Sequence, residues 1–304
     1  LIGATNTMGI GGESTKYGNV AKMKSNGVEL SLNTVNIKTK DFTWSTDFIY
    51  SHMHNEVTEL NTYNRLYDYI SGYGFTMPGY PQRSLFSIPF AGLNNEGLPT
   101  FYDPDGNITV TGIDMQEYDP ERLKFLKYEG PADPTDVGSF GNIFRYKNLT
   151  LNLFITYSFG NVVRLDPVFS SRYSDLSATP KEFNNRWIKP GDEKYTNIPV
   201  IASKQQLNNI ADLDRAYQSY NYSTARVAKG DFIRMKEISL AYEFPKTITQ
   251  ALNIANLSLK LQATNLFLLY ADKKLNGQDP EFFNAGGVAT PMPKQFTLTL
   301  KFGI

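Results

Sequence analysis

The chain has 304 residues, with 30 basic and 30 acidic side chains. A balanced charge gives no field to draw in nucleic acid, so no nucleic-acid partner is expected. Cysteine is absent and only 2 histidines occur, which excludes disulfides and thiol nucleophiles and leaves little material for imidazole chemistry or metal binding.

No stretch approaches the roughly 18 apolar residues of a membrane helix; the longest pure run lies near Leu266 to Ala271. Alternating strands average to near-neutral hydropathy, so this does not exclude a barrel that crosses a membrane. The opening "LIGATNTMGI" lacks an initiator Met and a charged segment before an apolar run. The expectation is a cytoplasmic chain or a piece of something longer.

Strand patterns start at Val28, Leu30 and Leu32, which alternate with Glu29, Ser31 and Asn33. After the turn-like "KTKD", Phe42, Trp44, Phe48 and Tyr50 alternate with Asp41, Thr43, Ser45 and Asp47, which predicts a hairpin. In "KNLTLNLFITYSFG", Leu149, Leu151, Leu153, Ile155, Tyr157 and Phe159 oppose Thr150, Asn152, Thr156 and Ser158, with Phe154 interrupting the polar face. A tight "GNV" then leads into "VRLDPVF", predicted as a returning strand. Ile238, Leu240, Tyr242 and Phe244 oppose Glu237, Ser239 and Glu243; Leu257, Leu259 and Leu261 oppose Ser258, Lys260 and Gln262. In the closing "QFTLTLKFGI", Phe296, Leu298, Leu300 and Phe302 oppose Thr297, Thr299, Lys301 and Gly303. The sum is about seven strands of roughly 10 residues, the length that crosses a bilayer at a tilt.

Short links are expected near 38–41, 160–162 and 245–255, alternating with long ones near 55–145, 171–229 and 271–293. Compact soluble domains rarely hold structureless loops beyond about 12–15 residues, whereas outer-membrane barrels have short periplasmic turns and long extracellular loops. The long loops are rich in turn residues, as in "GYGFTMPGYPQRS", and read as folded, with "DPDGNITV" a hairpin tip. The fold class is therefore all-β, a transmembrane antiparallel barrel with long extracellular loops and a periplasmic C-terminus. An odd strand count does not complete a single-chain bacterial barrel, so part of a barrel is expected.

Several stretches resemble the C-terminal half of the SusC/RagA family of TonB-dependent outer-membrane transporters. They are "NGVELSLNTVNIKTKDFTWSTDF" (26–48), "NIFRYKNLTLNLFITYSFGNVV" (142–163), "NRWIKPGDEKYTNIP" (185–199), "RVAKGDFIRMKEISLAYEFP" (226–245), "LKLQATNLFLL" (259–269), "GQDPE" (277–281) and "PKQFTLTLKFGI" (293–304). The resemblance implies a 22-stranded barrel, with residues 1–304 forming a C-terminal portion of it. The plug domain, TonB box and signal peptide would lie upstream. It also implies import of oligosaccharides or oligopeptides, a SusD-like surface lipoprotein as lid, energy from the TonB complex, outer-membrane lipid around the wall, and no cofactor. A dimer of transporter–lipoprotein pairs stays open. The rivals are a soluble surface β-sandwich that binds glycans or proteins, a passive porin, and a siderophore-type transporter without a lid.

Candidate ligand or lid contacts come from the aromatic and cationic loop residues Arg186, Trp187, Lys189, Tyr195, Tyr220 and Tyr222, which suit stacking on a sugar or gripping a peptide. For Trp187 the expectation leans to anchoring the loop. Asp103, Asp105 and Asn107 sit at calcium-loop spacing, but the Gly is misplaced and no bidentate Glu follows, so a turn is expected. His52 and His54 share a strand face and are expected at a membrane interface instead of on a metal. Asp231, Arg234 and Glu237 are expected to be the polar side of a strand. No paired-carboxylate geometry, phosphate loop, nucleophile elbow or His-Glu-x-x-His motif marks an enzyme.

Overall fold

The computed structural model describes residues 2–6, 15–19, 21–60, 64–72, 74–168, 180–282 and 293–303. Among these, seven long strands form one antiparallel sheet: β1 (Ala21–Lys38), β2 (Phe42–Leu60), β3 (Asp136–Tyr146), β4 (Leu149–Phe159), β5 (Phe232–Glu243), β6 (Asn256–Ala271) and β7 (Gln295–Gly303). Each strand pairs with its neighbour in sequence, so the sheet is an up-and-down meander. The short connections are 39–41, 147–148 and 244–255, the last holding the helix Lys246–Ala251. The long ones are 61–135, 160–231 and 272–294, parts of which (61–63, 73, 169–179 and 283–292) lie outside the described residues.

Two expectations are corrected. The returning strand after "GNV" does not join the sheet, and 160–162 is not a short link between sheet strands. Val162–Arg164 instead pairs with Val227–Lys229 in a two-stranded ribbon that prolongs β4 and β5 beyond the sheet. Leu165, Asp166 and Pro167 follow directly, and a proline has no amide to donate to a ladder. Both ladder sides of β4 are already taken, by β3 and β5. The strand missed in the sequence is β3, which joins β4 through the two-residue turn Lys147–Asn148. Its alternation is blurred because Gly138 and Asn142 stand on the apolar side while Val137 and Ile143 stand on the other.

Both exceptions in β3 are accommodated. Asn142 Oδ1 accepts from Trp44 Nε1 and from Thr46 Oγ1, each at 2.9 Å, so its carbonyl is not left bare on an apolar face. Gly138 leaves room for the Tyr157 ring, whose hydroxyl donates to the Ile49 carbonyl at 3.0 Å across the intervening strand. A Cβ at Gly138 would lie 2.1 Å from the Ile49 oxygen and 2.4 Å from the Tyr157 hydroxyl.

Cross-strand register aligns the apolar residues into continuous rows, because directly opposed residues share a face. One row runs Ile37, Trp44, Phe144, Leu151, Leu240, Leu261, Leu298 across all seven strands. Another runs Leu32, Phe48, Phe140, Ile155, Met235, Phe267. Nothing described packs on these rows: Leu298 is 66% and Phe296 77% exposed. A soluble sandwich would cover this face with a second sheet, and none of the described elements does so.

The compact core lies in the loops. Leu66, Ile70, Ile88, Leu98, Phe101 and Met115 from the first long loop meet Val168, Phe183, Ile198, Leu213, Tyr217 and Tyr220 from the second. The helix Leu213–Asn221 contributes through its buried stripe Leu213, Ala216, Tyr217 and Tyr220, at the spacing of one helical face. A smaller cluster of Val163, Leu165, Ala228 and Leu275 ties in the third loop. The expectation of folded loops is met by this cap. The hairpin tip is met too, since Pro99–Tyr102 pairs with Ile108–Thr109 around "DPDGN".

Candidate functional site

Three regions could carry function: the cap, its buried cations, and the polar face of the sheet. In the cap, the segment around "RWIKPGDEKYT" is a tight turn with an inner and an outer side. Trp187 is 7% exposed and covers Gly97, where a Cβ would come within 2.4 Å of the ring. Gly97 has φ +77, which favours glycine for a second reason. The Trp187 indole donates to Glu193 Oε2 at 3.0 Å, and that oxygen also accepts the Gly191 amide at 2.8 Å. The indole bond, with further help from backbone amides, holds the Glu193 carboxyl below the usual glutamate range. Arg186 lies over Phe183, 4.7 Å from the ring centroid. Lys189 and Tyr195 point to the outside, Tyr195 being 89% exposed.

The two remaining candidates belong to the cap interior. Tyr220 is 1% exposed and packs edge-on to Phe90 with centroids 5.6 Å apart; burial pushes its hydroxyl pKa up to about 12. Tyr222 is half-buried, meets Tyr67 at 5.9 Å, and is likewise pushed up to about 12, by burial first and then by Tyr67. Of the six candidates, the structure brings Arg186, Trp187, Lys189 and Tyr195 onto one turn and sets Tyr220 and Tyr222 inside the cap.

Three arginines, Arg226 and Arg234 buried and Arg164 half-buried with buried guanidinium nitrogens, gave no signal as a set. Arg164 donates through Nη2 to the Phe86 carbonyl at 2.5 Å and stands 5.5 Å from the Tyr222 centroid. Burial lowers its pKa to about 10, which leaves it charged at neutral pH. Arg226, 2% exposed, donates to the Asp166 carbonyl and the Glu182 carboxylate, each at 2.5 Å. Arg234 on β5 pairs with Asp279 at 2.5 Å and Glu281 at 3.2 Å, fastening the third loop to the wall. Asp231, Arg234 and Glu237 form no charged cluster, and Arg234 and Glu237 lie on the polar side of β5 as expected. Asp231 accepts the Gly160 amide at 2.7 Å, and Glu237 sits in a polar network with Asn152, Gln262 and Lys260 at 3.3, 3.2 and 3.7 Å.

Among the described residues no group of three or more His, Asp or Glu side chains could hold a metal ion. His52 instead meets Asp136 at 2.9 Å, and Asp103 accepts the amides of Asp105 and Asn107 at 2.9 and 2.8 Å, as in a turn.

A wall with a lipid-type face, a polar face and a cap at one end only is the geometry of a membrane barrel segment. No protein-family model matches the chain. It is 26% identical over 323 residues to a TonB-dependent receptor of Formosa agariphila, covering 92% of this chain and 29% of that protein. To the TonB-dependent receptor SusC of Bacteroides thetaiotaomicron it is 27% identical, covering 93% of this chain and 26% of SusC. The solved RagAB peptide importer in its open-open state superposes with a TM-score of 0.71 at 21% identity, over 100% of this chain and 31% of the other. The chain is similar over nearly its whole length to TonB-dependent receptors that include SusC, and it shares the fold of the RagAB barrel. It thus spans between about a quarter and a third of the length of these relatives. In a SusC/RagA barrel, the apolar rows are the lipid face and the Glu237 network is on the lumen face. The relatives are named as receptors and importers, not enzymes.

Proposed function

We propose that the chain is the C-terminal portion, residues 1–304, of the barrel domain of a longer outer-membrane transporter. That transporter imports oligosaccharides or oligopeptides delivered by a SusD-like lipoprotein lid. The observation that carries this is the pairing of an uncovered seven-strand apolar face with a folded cap confined to the long-loop end. The short turns and the C-terminus then face the periplasm and the cap faces outward, as in barrels with short periplasmic turns. The plug and TonB box belong to the remainder of the protein, and TonB supplies the work that moves cargo past these strands.

Lys189 and Tyr195 present the cap surface that meets lid or cargo, and Arg186, Trp187, Tyr220 and Tyr222 support it from within. The names of the structural neighbours support a peptide cargo, while aromatic faces suit sugars equally, so both classes enter the test. The experiment is affinity purification of the full-length protein from native outer membranes through a tag in the cap, with mass spectrometry and uptake of labelled peptides and glycans. A lipoprotein partner and TonB-dependent uptake of either cargo are expected. Recovery in the soluble fraction, or uptake that persists without TonB, would overturn the reading.

A further inference from the structure

An asparagine followed by glycine is the pair in which a main-chain amide most readily attacks a side-chain carboxamide, because glycine has no Cβ to block the approach or restrict the backbone. The chain holds two such pairs, Asn26–Gly27 and Asn276–Gly277, and the fold treats them oppositely. Asn26 and Gly27 lie inside β1, opposite His54 and Met53, and a Cβ at Gly27 would come within 2.5 Å of the His52 carbonyl oxygen. Turning that peptide means opening a ladder between strands of 18 and 19 residues. Asn276 and Gly277 instead form an exposed turn in the third loop, just past the one-turn helix Lys273–Leu275, with φ +52 and +87. A Cβ at Gly277 would meet nothing within 4 Å, and among the described residues its amide donates to no backbone carbonyl. Swinging this turn breaks the bond from the Gln278 amide to the Leu275 carbonyl at 2.9 Å. It also breaks two long ones from Asn276 Nδ2, to Glu182 and to the Lys274 carbonyl, each at 3.4 Å. A local opening of this size costs far less than opening core strands.

We infer that Asn276 is a site of spontaneous deamidation and that the strand ladder protects Asn26. The Gly277 nitrogen bonds to Asn276 Cγ, the bond from Cγ to Nδ2 breaks, and Nδ2 leaves as ammonia with the proton given up by the amide. Water then opens the cyclic imide on either side, which leaves aspartate or isoaspartate at 276 and needs no oxidant and no enzyme. Both products exchange a neutral donor for a carboxylate beside Glu182, which already serves buried Arg226 as counter-ion at 2.5 Å. Like charges so placed repel. Isoaspartate also adds a methylene to the main chain one residue after Leu275, which is 1% exposed among Val163, Leu165 and Ala228. The third loop therefore loses its hold on the second at this end, while Arg234 keeps Asp279 at the other.

The test holds the folded full-length protein at mildly alkaline pH beside a denatured sample, with peptide mass mapping of both asparagines and enzymatic detection of isoaspartate. In the folded protein, conversion at 276 is expected to outrun that at 26 several-fold; in the denatured sample the two should convert at similar rates. Equal conversion in the folded protein, or an Asn276 that stays intact while the denatured sample converts, would overturn the inference. An Asn276→Asp variant reads the consequence separately. Protease cleavage within 272–282 is expected to rise several-fold over the parent and over an Asn276→Ser control, with the heat-shifted barrel band unchanged. Cleavage equal to the parent's would overturn the loosening of the loop.

Discussion

Gly138 and Trp187 show how much single positions decide. Gly138 lets a tyrosine lie across a neighbouring strand, and a side chain there meets backbone, which cannot rotate away. Gly138→Val is expected to cost about 1–3 kcal/mol and to deplete the heat-shifted folded band of the full-length protein. Gly141→Ala on the same strand should deplete that band far less, since the nearest atom to its Cβ is the edge of the Phe154 side chain at 3.3 Å and not backbone. Glu193 gives a pH prediction with a definite sign. Its folded pKa is depressed, so its contribution to the turn is present above the ordinary glutamate value and is lost as pH falls through the folded one. In the full-length protein, the Trp187 signal is taken as the difference from a Trp187→Phe variant. That emission should stay flat from neutral pH down into the ordinary glutamate range and change only below it; a transition near neutrality would contradict the assignment.

Each strand carries two chemistries, and substitutions should respect the face. Ile155→Arg on the lipid side is expected to destabilise the folded barrel by about 2–4 kcal/mol in urea titrations in lipid. Asn152→Arg on the lumen side, within reach of Glu237, should cost less than about 1 kcal/mol. The third loop depends on an ion pair. Arg234→Met strands a buried Asp279 carboxylate, which typically costs about 3–5 kcal/mol, and should expose 272–282 to protease while the barrel band persists. Arg234→Met with Asp279→Leu should restore most of the protection, because the unpaired charge is gone. Strand chemistry was legible where apolar residues alternate with at most one exception, as in β4 and β7. It was not legible in β3, where Gly138 and Asn142 sit on the apolar side and make sense only beside Tyr157, Trp44 and Thr46 on other strands.

At the scale of the molecule, the sheet has two long open edges, β1 and β7, each with an uncovered apolar face. Unpaired backbone groups are costly in hydrocarbon, so a membrane sheet must close. Expressed alone, residues 1–304 should therefore fail to give a heat-shifted band in detergent, whereas the full-length protein gives one. A closed barrel from the isolated chain would refute the assignment of these residues to part of a larger wall. The cap follows a different rule, since its core joins the first two long loops and makes it a folded body, as their turn-rich composition suggested.

The sequence by itself determined the two-faced strands, the alternation of short and long connections, and the family resemblance, because period-2 patterning and loop length are local properties of the chain. Tertiary structure alone decided that 136–146 and not the segment after "GNV" completes the seven, that Trp187 lies beneath its turn while Tyr195 stands out, and that the Arg164 guanidinium nitrogens and the whole of Arg226 and Arg234 are buried. Those outcomes depend on neighbours far away in sequence, such as Phe86 for Arg164 and Asp279 for Arg234. Burial and pairing are properties of the contact, and no single residue carries them.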